Sequence, residues 1–512
     1  MAAPGLPDHE PPACAARAIP EPMSATLPQP KPATAPVADA PAAPAGLRRP
    51  GRVLLVSCYE LGHQPVSLAG PLAAFRNAGF DPLAIDTAVD PLPDAAIAMA
   101  RFVAIAVPMH TALRLGLAVA ARVRQINPAA HVCFYGLYAT LNADHLLTGP
   151  GDSTISGEFE APLLALAEAL DRGDAPDSVP GVGVRDRRAL PVLDPLPPAL
   201  RLLAPDRRGL PDLRRYAGLR RGNTIVRAGA IEATRGCHHE CRHCPIPPIY
   251  GGKFFVVPRP VVLADARAQI AAGARHLTFT DPDFFNGPGH GLRIMRELRE
   301  EFPFLSFDVT IKVEHLLQHG KRLPELAELG CAFVVTAVES LSDEVLARLA
   351  KGHTRAGVEA ALDALDTVGV PMRPSLLPFT PWETLEGYRD LLRWVAVRDL
   401  TGCVDPIMLA IRLLLPPGSS LLVENADAPW LGDLDAANFT HRWTHPDPRM
   451  DALHSEVSRI AERAAAANEP PDATFASIWE AAWRVSGDDP PPVPAAIRRR
   501  APAPGLTESW FC

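Results

Sequence analysis

The stretch that decides the fold of this chain reads Ala233-Thr-Arg-Gly-Cys-His-His-Glu-Cys-Arg-His-Cys-Pro245. It includes the end of an apolar segment that predicts a strand over 230–234, and it places three cysteines on one tight loop, at Cys237, Cys241 and Cys244. Three thiolates spaced C-x3-C-x2-C can each hold one iron of a four-iron cluster and leave the fourth iron without a protein ligand. The sequence therefore predicts a metal centre with one open, reactive iron.

A second interpretation of the same loop is a tetrahedral zinc site. The loop also holds His238, His239 and His243, and cysteine with histidine is a common zinc ligand set. Structural zinc sites usually bring a second ligand pair roughly ten to thirty residues away. None follows Cys244 at ligand spacing before His276. The spacing favours an iron–sulfur cluster, with zinc or a purely structural role as the alternative.

The spacing after a predicted strand, with His243 directly before the last cysteine, resembles the cluster loop of radical S-adenosylmethionine (radical SAM) enzymes. The resemblance implies a [4Fe-4S] cluster whose open iron chelates the amino and carboxylate groups of S-adenosylmethionine (SAM). It implies reductive cleavage of SAM to a 5′-deoxyadenosyl radical and an electron donor such as flavodoxin or ferredoxin. It also implies that His243 lies near the adenine of SAM.

Composition and charge exclude several other classes of protein. The 512 residues predict two or three domains, and a hydrophobic content of 47% suffices for their cores. A net charge of -8 gives no general attraction for nucleic acid. The chain shows neither an apolar run of membrane-spanning length nor the pattern of a secretory signal. The nine cysteines are scattered rather than paired, so we expect a soluble, cytoplasmic protein.

The first half of the chain predicts a leader followed by an α/β domain. Residues 1–48 are rich in alanine and proline and predict a disordered leader. Over 49–172, short apolar runs alternate with amphipathic segments, which predicts a Rossmann-like, doubly wound parallel sheet. Such sheets bind ligands at the carboxyl ends of their strands. The candidate binding loops are therefore 58–63, 108–111, 136–138 and 157–160.

A Rossmann-like domain ahead of a radical SAM loop resembles the cobalamin-binding domain of many radical SAM enzymes. The resemblance covers residues 51–172 and implies cobalamin as a further cofactor. Some such domains supply a lower cobalt ligand from an Asp-x-His-x-x-Gly motif, which is absent here because Leu61 and Val66 hold the aspartate and glycine positions. We interpret His63, the histidine of this loop, as a loop residue. A structural or substrate-binding domain is the alternative.

Three further segments are predicted downstream. Residues 173–222 are rich in proline and arginine and predict an interdomain linker. Strand and helix patterns alternate again over 223–416, which predicts a partial β/α barrel of the TIM type, with ligands at the carboxyl ends of its strands. Residues 417–512 predict a helical extension and a tail that ends in cysteine.

Acidic residues follow two predicted barrel strands. The resemblance implies that Asp281 and Asp283 meet the amino group of SAM, and that Glu339 and Ser340 lie near its ribose and carboxylate. Carboxylates suit ribose because they accept hydrogen bonds from both hydroxyls. Helix capping is the alternative for the aspartates, and ion pairing is the alternative for Glu339.

Two arginines complete the candidate cofactor-binding residues. Arg373 and Arg412 lie in apolar, strand-like contexts, where a buried guanidinium needs an anion. Each could bind the carboxylate of SAM or a substrate acid, and structural ion pairing is the alternative.

The chain stops at Leu506-Thr-Glu-Ser-Trp-Phe-Cys512. With Tyr59-Glu-Leu-Gly-His-Gln-Pro and Pro108-Met-His-Thr-Ala-Leu-Arg-Leu, this tail resembles the CUAEP/CCAEP-tail radical SAM family, whose members end in Cys-Sec-Ala-Glu-Pro or Cys-Cys-Ala-Glu-Pro. The resemblance implies a truncated selenoprotein in which a selenocysteine codon after Cys512 is read as a stop. A native cysteine terminus is the alternative.

Together these patterns predict a radical SAM enzyme, linked to cobalamin, that modifies a small-molecule or peptide substrate by methyl transfer or another radical reaction. No segment identifies the substrate. A methylthiotransferase is one alternative, and its second cluster would draw on Cys14, Cys58 and Cys133. A non-catalytic metal- or corrinoid-binding protein is the other alternative.

Overall fold

The computed structural model describes residues 46–189, 191 and 202–508. The predicted leader lies outside these residues up to position 45, and so does Cys512. The described residues form two large sheets flanked by helices, which confirms the predicted α/β class.

The first sheet has six strands in the order β2-β1-β3-β4-β5-β6. Its strands are β1 (Val53–Ser57), β2 (Leu83–Asp86), β3 (Phe102–Ala106), β4 (His131–Tyr135), β5 (Ser153–Ile155) and β6 (Val182–Gly183). The first five are parallel and β6 is antiparallel to β5. The order 2-1-3-4-5 is that of a doubly wound, flavodoxin-like sheet, which places ligands at the carboxyl edge.

Helices cover both faces of this sheet, and for this reason β1 is buried at every position. The helices are α1 (Val66–Asn77), α2 (Asp94–Met99), α3 (His110–Ile126), α4 (Leu137–Leu141), α5 (Ala143–Thr148) and α6 (Glu160–Arg172). Successive side chains of β1 alternate between two cores: Val53 and Leu55 pack with α1 and α6, while Leu54 and Val56 pack on the α2 and α3 side.

The second sheet is a curled, open sheet of seven strands in the order β14-β13-β12-β11-β8-β7-β17. Its strands are β7 (Gly218–Arg221), β8 (Thr224–Ile231), β11 (His276–Phe279), β12 (Ser306–Thr310), β13 (Cys331–Glu339), β14 (Met372–Leu376) and β17 (Gly505–Leu506). Strands β8 and β11–β14 are parallel, and β7 and β17 are antiparallel additions at one edge.

Two antiparallel hairpins accompany the second sheet. They pair β9 (Thr234–Gly236) with β10 (Phe254–Val256) and β15 (Leu431–Asp435) with β16 (Thr440–Trp443). The remaining helices are α7 (Pro247–Tyr250), α8 (Arg259–Ala271), α9 (Pro288–Glu301), α10 (Val313–Gln318), α11 (Leu323–Glu328), α12 (Asp343–Arg348), α13 (Arg355–Val368), α14 (Leu385–Val397), α15 (Ser420–Glu424), α16 (Pro448–Ala467) and α17 (Pro471–Arg484).

Short strands lie in segments for which the sequence predicts none. The predicted linker 173–222 contributes β6 and β7, and the predicted helical extension 417–512 contributes the hairpin of β15 and β16 and the edge strand β17. Strands of two to five residues show no readable alternation, and each of these forms only because a partner strand binds it. The predicted strand over 230–234 is also divided, between the end of β8 and the start of β9.

A buried ion-pair network joins the two sheets at their carboxyl ends. Arg235, on β9, lies 2.8 Å from Glu158 and 2.7 Å from Glu160, which follow β5 in the first domain. Its Nε lies 2.6 Å from Glu232, which follows β8. Tyr250 donates a further hydrogen bond of 2.9 Å to Glu158. One guanidinium thus holds three carboxylates from both domains.

Among the described residues, no helix combines the length and apolarity needed to cross a membrane.

Candidate active site

The cysteine loop leaves the hairpin of β9 and β10 at a glycine, Gly236, that no other residue could replace without a shift of neighbouring atoms. Gly236 ends β9 with a φ of +72°, and a Cβ at this position would lie 2.5 Å from the carbonyl oxygen of Lys253. Cys237 and Cys241 are buried, Cys244 is half-buried, and all three are free thiols. The Cys244 amide donates to the Cys241 carbonyl at 3.1 Å, which closes the turn between the last two cysteines.

The arrangement of the three thiols fits a multi-iron cluster rather than one zinc ion. Sulfurs bound to a single tetrahedral zinc stand about 3.8 Å apart. Among the described residues, the only three metal-binding side chains whose ligand atoms all lie within 4.8 Å of one another are His238, His239 and His315. The three cysteine sulfurs do not form such a compact group, which fits thiolates that each bind a separate iron.

Glu339 ends β13 beside the cysteine loop, in the left-handed region of backbone space at φ 65°. Its carboxylate lies 3.1 Å from Lys351 Nζ and 3.5 Å from His243 Nε2. Burial alone would raise the pKa of Glu339, but the Lys351 ammonium, with His243, holds that pKa below its usual range. His243 Nδ1 is buried with no hydrogen-bond partner. The sequence-predicted pair of His243 and Glu339 thus forms one polar site next to the cysteines.

A cavity of about 330 Å³ lies between the carboxyl ends of the two sheets, within about 1560 Å³ of open space that includes its mouth. Each of the four loops predicted to bind ligands in the first domain contributes to it. The residues of these loops that line it are Glu60, Leu61, His63, Pro108, Met109, Gly136, Leu137, Gly157 and Phe159. The second sheet lines the opposite wall, and Gly236 and Ile246 bring the cavity to the cysteine loop.

Two of the predicted cofactor residues line this cavity. Asp281 is buried, and its oxygens accept from the Ala233 amide at 2.8 Å and the Thr234 hydroxyl at 2.6 Å. Arg373 lies 2.6 Å from Asp405, which also lines the cavity. Both side chains have protein partners and still face the open space.

Residues 231–395 match the family model of the radical SAM superfamily. This chain carries a radical SAM domain. A domain of this kind implies a [4Fe-4S] cluster and SAM, and it needs a reductant. The free thiols of Cys237, Cys241 and Cys244 fit that cluster. The buried Nδ1 of His243, which has no hydrogen-bond partner, fits a polar ligand beside the cluster.

Curated relatives of the radical SAM domain match only part of the chain. The ribosomal protein uS12 methylthiotransferase RimO of Geobacter sulfurreducens is 25% identical over 178 residues, which are 32% of this chain and 39% of that protein. The hopanoid C-3 methylase of Methylococcus capsulatus is 24% identical over 243 residues, 48% of this chain and 45% of that protein. The chain therefore spans less than half the length of these relatives.

Solved structures resemble the chain over both sheets. The radical S-adenosylmethionine methyltransferase TsrM from Kitasatospora setae has a TM-score of 0.64 at 18% identity and covers 80% of this chain and 88% of its own. The cobalamin-dependent S-adenosylmethionine radical enzyme OxsB has a TM-score of 0.65 at 14% identity and covers 85% of this chain and 72% of its own. At these identities the likeness establishes a shared fold.

Besides His243 and Glu339, three more predicted cofactor residues lie outside the lining of this cavity. Asp283 caps a short helix by accepting from the Phe285 amide at 2.9 Å. Ser340 donates to Glu383 at 2.8 Å. Arg412 pairs with Asp451 at 2.7 Å, outside the cavity lining, so a role in binding SAM or a substrate acid stays a prediction for it. This ion pair is the structural alternative that its apolar context had left open.

The cysteines available for a second cluster do not meet. Cys58 belongs to the core on one face of the first sheet and Cys133 to the core on the other face. Cys14 lies outside the described residues. Because side chains on opposite faces of a sheet cannot share an ion, Cys58 and Cys133 cannot both ligate one cluster.

Apart from Asp281 and Arg373, the charged residues that line the cavity were not predicted as site residues from the sequence. They include Arg235, Glu232, Asp308, Glu60 and Glu508. Arg235 lies in the loop sequence quoted at the start, and Glu158 and Glu160 lie in a predicted binding loop. Opposite charges at two predicted strand ends were therefore the sequence signal that could have indicated this ion pairing. Their pairing depends on how the two sheets pack, which local sequence does not encode.

Glu60 makes the stability of the folded protein depend on pH in a way that can be tested. Burial raises the pKa of Glu60 from 4.5 to about 7, although the Ser67 hydroxyl and the Val66 amide donate to it. The folded protein therefore holds a proton that the unfolded chain has lost. This contribution to stability is present below pH 4.5 and disappears as the pH rises through about 7.

We expect the unfolding temperature of Glu60→Gln to change less with pH between 4.5 and 7 than that of the wild type. As the pH rises through this range, the variant should therefore become more stable relative to the wild type. Thermal unfolding of both proteins across this range measures the difference. Glu344→Gln, at an exposed carboxylate on α12, is the control and should follow the wild type. Identical pH slopes for Glu60→Gln and the wild type would contradict the assignment.

Proposed function

We propose that this chain is a radical SAM enzyme that binds cobalamin and modifies its substrate by methyl transfer or another radical reaction. One observation carries the proposal: a single cavity is lined by the carboxyl ends of both sheets and reaches the cysteine loop. Two cofactors held by two domains would then meet one substrate. The cavity volume of about 330 Å³ lies within the range of small-molecule sites.

The cofactors supply the difficult chemistry and the protein supplies their positions. When bound, the cluster and SAM provide a radical that removes hydrogen from an unactivated carbon, and cobalamin provides a carrier for a methyl group. Cys237, Cys241 and Cys244 would hold the cluster. Glu339, kept ionised by Lys351, and His243 would orient SAM through its hydroxyl and amino groups.

Apolar side chains support cobalamin as the ligand of the first domain. Leu61, Met109, Leu137 and Phe159 line its side of the cavity, and such a surface suits the flat face of a macrocycle. Burial lowers the pKa of His63 to about 4, so this cavity residue is neutral. Because the Asp-x-His-x-x-Gly motif is absent, we propose that cobalamin binds without a lower ligand from His63.

Other parts of the proposal rest on the sequence. A cytoplasmic location agrees with the seven free cysteines among the described residues. Flavodoxin or ferredoxin would serve as the electron donor, because the cluster needs a reductant. The proposed membership of the CUAEP/CCAEP-tail family rests on the likeness of residues 59–65, 108–115 and 506–512 to that family. A coding sequence after Cys512 other than a UGA followed by Ala-Glu-Pro codons would reject that membership. Because the chain is similar to RimO, methylthiolation is the second candidate function. It would have to proceed without a second cluster held by both Cys58 and Cys133.

We expect Leu137→Arg to reduce cobalamin affinity at least about tenfold, because a charged side chain would occupy the apolar wall, and a loss of about 1.4 kcal/mol already gives that factor. The protein is reconstituted anaerobically with iron, sulfide and hydroxocobalamin, and retained cobalamin is titrated by absorbance. Leu115→Arg, at an exposed position of α3, is the control and should bind as the wild type does. A wild type that retains no cobalamin, or a Leu137→Arg variant that binds normally, would contradict the proposal.

A further inference from the structure

Three imidazoles converge beside the cysteine loop, and none of them lines the cavity. His238 and His239 lie between Cys237 and Cys241, and His315 lies on α10, after β12. One ring nitrogen of each lies within 4.8 Å of the other two. The fold has therefore brought a third histidine from a distant helix to a pair in the loop.

The spacing of these nitrogens is that of metal ligands. His238 Nε2 and His315 Nε2 are 3.5 Å apart. An ordinary hydrogen bond to nitrogen or oxygen is shorter, at about 2.7–3.2 Å. Two nitrogens bound to one tetrahedral ion at about 2.0–2.1 Å stand about 3.4 Å apart. The observed separation agrees with a shared ion better than with a direct hydrogen bond.

A buried carboxylate completes the arrangement. Asp283 has no solvent exposure, and its Oδ2 lies 2.9 Å from His315 Nδ1 and 3.7 Å from His239 Nε2. The His239 nitrogen is buried and has no hydrogen-bond partner. A carboxylate beside the outer nitrogen of a ligating histidine fixes the ring and increases its basicity as a ligand.

The local charge and access also favour a cation. Glu314 lies 3.6 Å from His239 Nδ1 and 3.4 Å from Lys312 Nζ. Asp283 and Glu314 against Lys312 leave one net negative charge around the imidazoles. His238 is exposed to solvent, so an ion can enter and keep one position for water.

We propose that His238, His239 and His315 bind one divalent transition-metal ion such as Zn²⁺, with Asp283 beside His315, at a site separate from the cluster. Imidazole ligands suit zinc and iron, whereas the cluster takes thiolates. The ion would tie the segment between the first two cluster cysteines to α10. This proposal does not depend on cobalamin or on SAM cleavage.

The test is equilibrium dialysis of the cluster-loaded protein against Zn²⁺, with zinc counted per chain beyond the cluster iron. X-ray absorption at the zinc edge then identifies the ligands. We expect one zinc with nitrogen and oxygen neighbours. His238→Ala, at an exposed side chain that folding does not need, and His315→Ala should each weaken binding about 100-fold, and Asp283→Asn about 10–100-fold. His441→Ala, at a half-buried histidine of β16, should bind as the wild type does.

Three outcomes would overturn the site: no zinc retained by the wild type, unchanged zinc affinity in His238→Ala, or sulfur neighbours at the zinc edge. Sulfur neighbours would mean that zinc occupies the cysteines, which would count against the cluster as well. Loss of zinc in the variants with normal cluster iron, in contrast, would separate the two sites.

Discussion

The Cys241→Ala variant is expected to lose the [4Fe-4S] cluster and all cleavage of SAM. Cys241 is the middle cysteine of the loop, and two remaining thiolates cannot hold three irons of a cubane cluster. The iron and sulfide content of the reconstituted protein and its visible absorbance measure the loss directly. Because the side chain is small and lies on a loop, the variant should fold as the wild type does.

Cys403→Ala is the matched control for this experiment. Cys403 is also a buried free thiol, but it belongs to the hydrophobic core of the second domain, so its removal should leave the cluster intact. A Cys241→Ala protein with the iron content and absorbance of the wild type would show that the cluster, if one forms, has other ligands.

The second large effect is expected at the junction of the two domains. Arg235→Ala removes the guanidinium that faces Glu158, Glu160 and Glu232 and leaves two buried carboxylates and one half-buried carboxylate without that compensation. Removing one partner of a buried ion pair costs about 3–5 kcal/mol, whereas an exposed pair contributes about 0–1 kcal/mol. We therefore expect Arg235→Ala to lower the free energy of unfolding by about 3 kcal/mol or more.

Denaturant unfolding of the purified protein measures this effect. Arg208→Ala serves as the control because Arg208 is highly exposed and pairs with Asp206 at the surface, so its loss should cost less than about 1 kcal/mol. Adding Glu160→Gln to Arg235→Ala should restore part of the stability, since one uncompensated charge is then removed. Equal stabilities of Arg235→Ala and Arg208→Ala would contradict the role of the network.

The fold could be predicted from sequence where local patterns are strong. The apolar run at Val53–Ser57 predicted a strand of the first sheet, and the spacing of the three cysteines predicted the cluster loop. Both signals are carried by residues that are neighbours in sequence. The two-residue strand at Gly505–Leu506 could not be predicted, because it exists only by pairing with a strand almost 300 residues earlier.

The candidate site was predictable in part for the same reason. Glu339 and His243 were singled out as strand-end and loop residues, and the fold brings them to 3.5 Å. Arg412 was singled out by its apolar surroundings, but burial alone does not show which anion a guanidinium will meet. Arg235 was overlooked because two of its three partners, Glu158 and Glu160, lie on the other domain. The histidine cluster was overlooked because His315 is far from His238 and His239 in sequence.

The central claim is that this chain cleaves SAM reductively, and one measurement tests it most directly. The wild-type protein, reconstituted anaerobically with iron and sulfide, is incubated with SAM and a low-potential reductant, and 5′-deoxyadenosine is quantified by chromatography, with Cys241→Ala as the blank. We predict 5′-deoxyadenosine from the wild type only when both SAM and the reductant are present. A wild type with a full cluster and no 5′-deoxyadenosine, or equal product from Cys241→Ala, would contradict the claim.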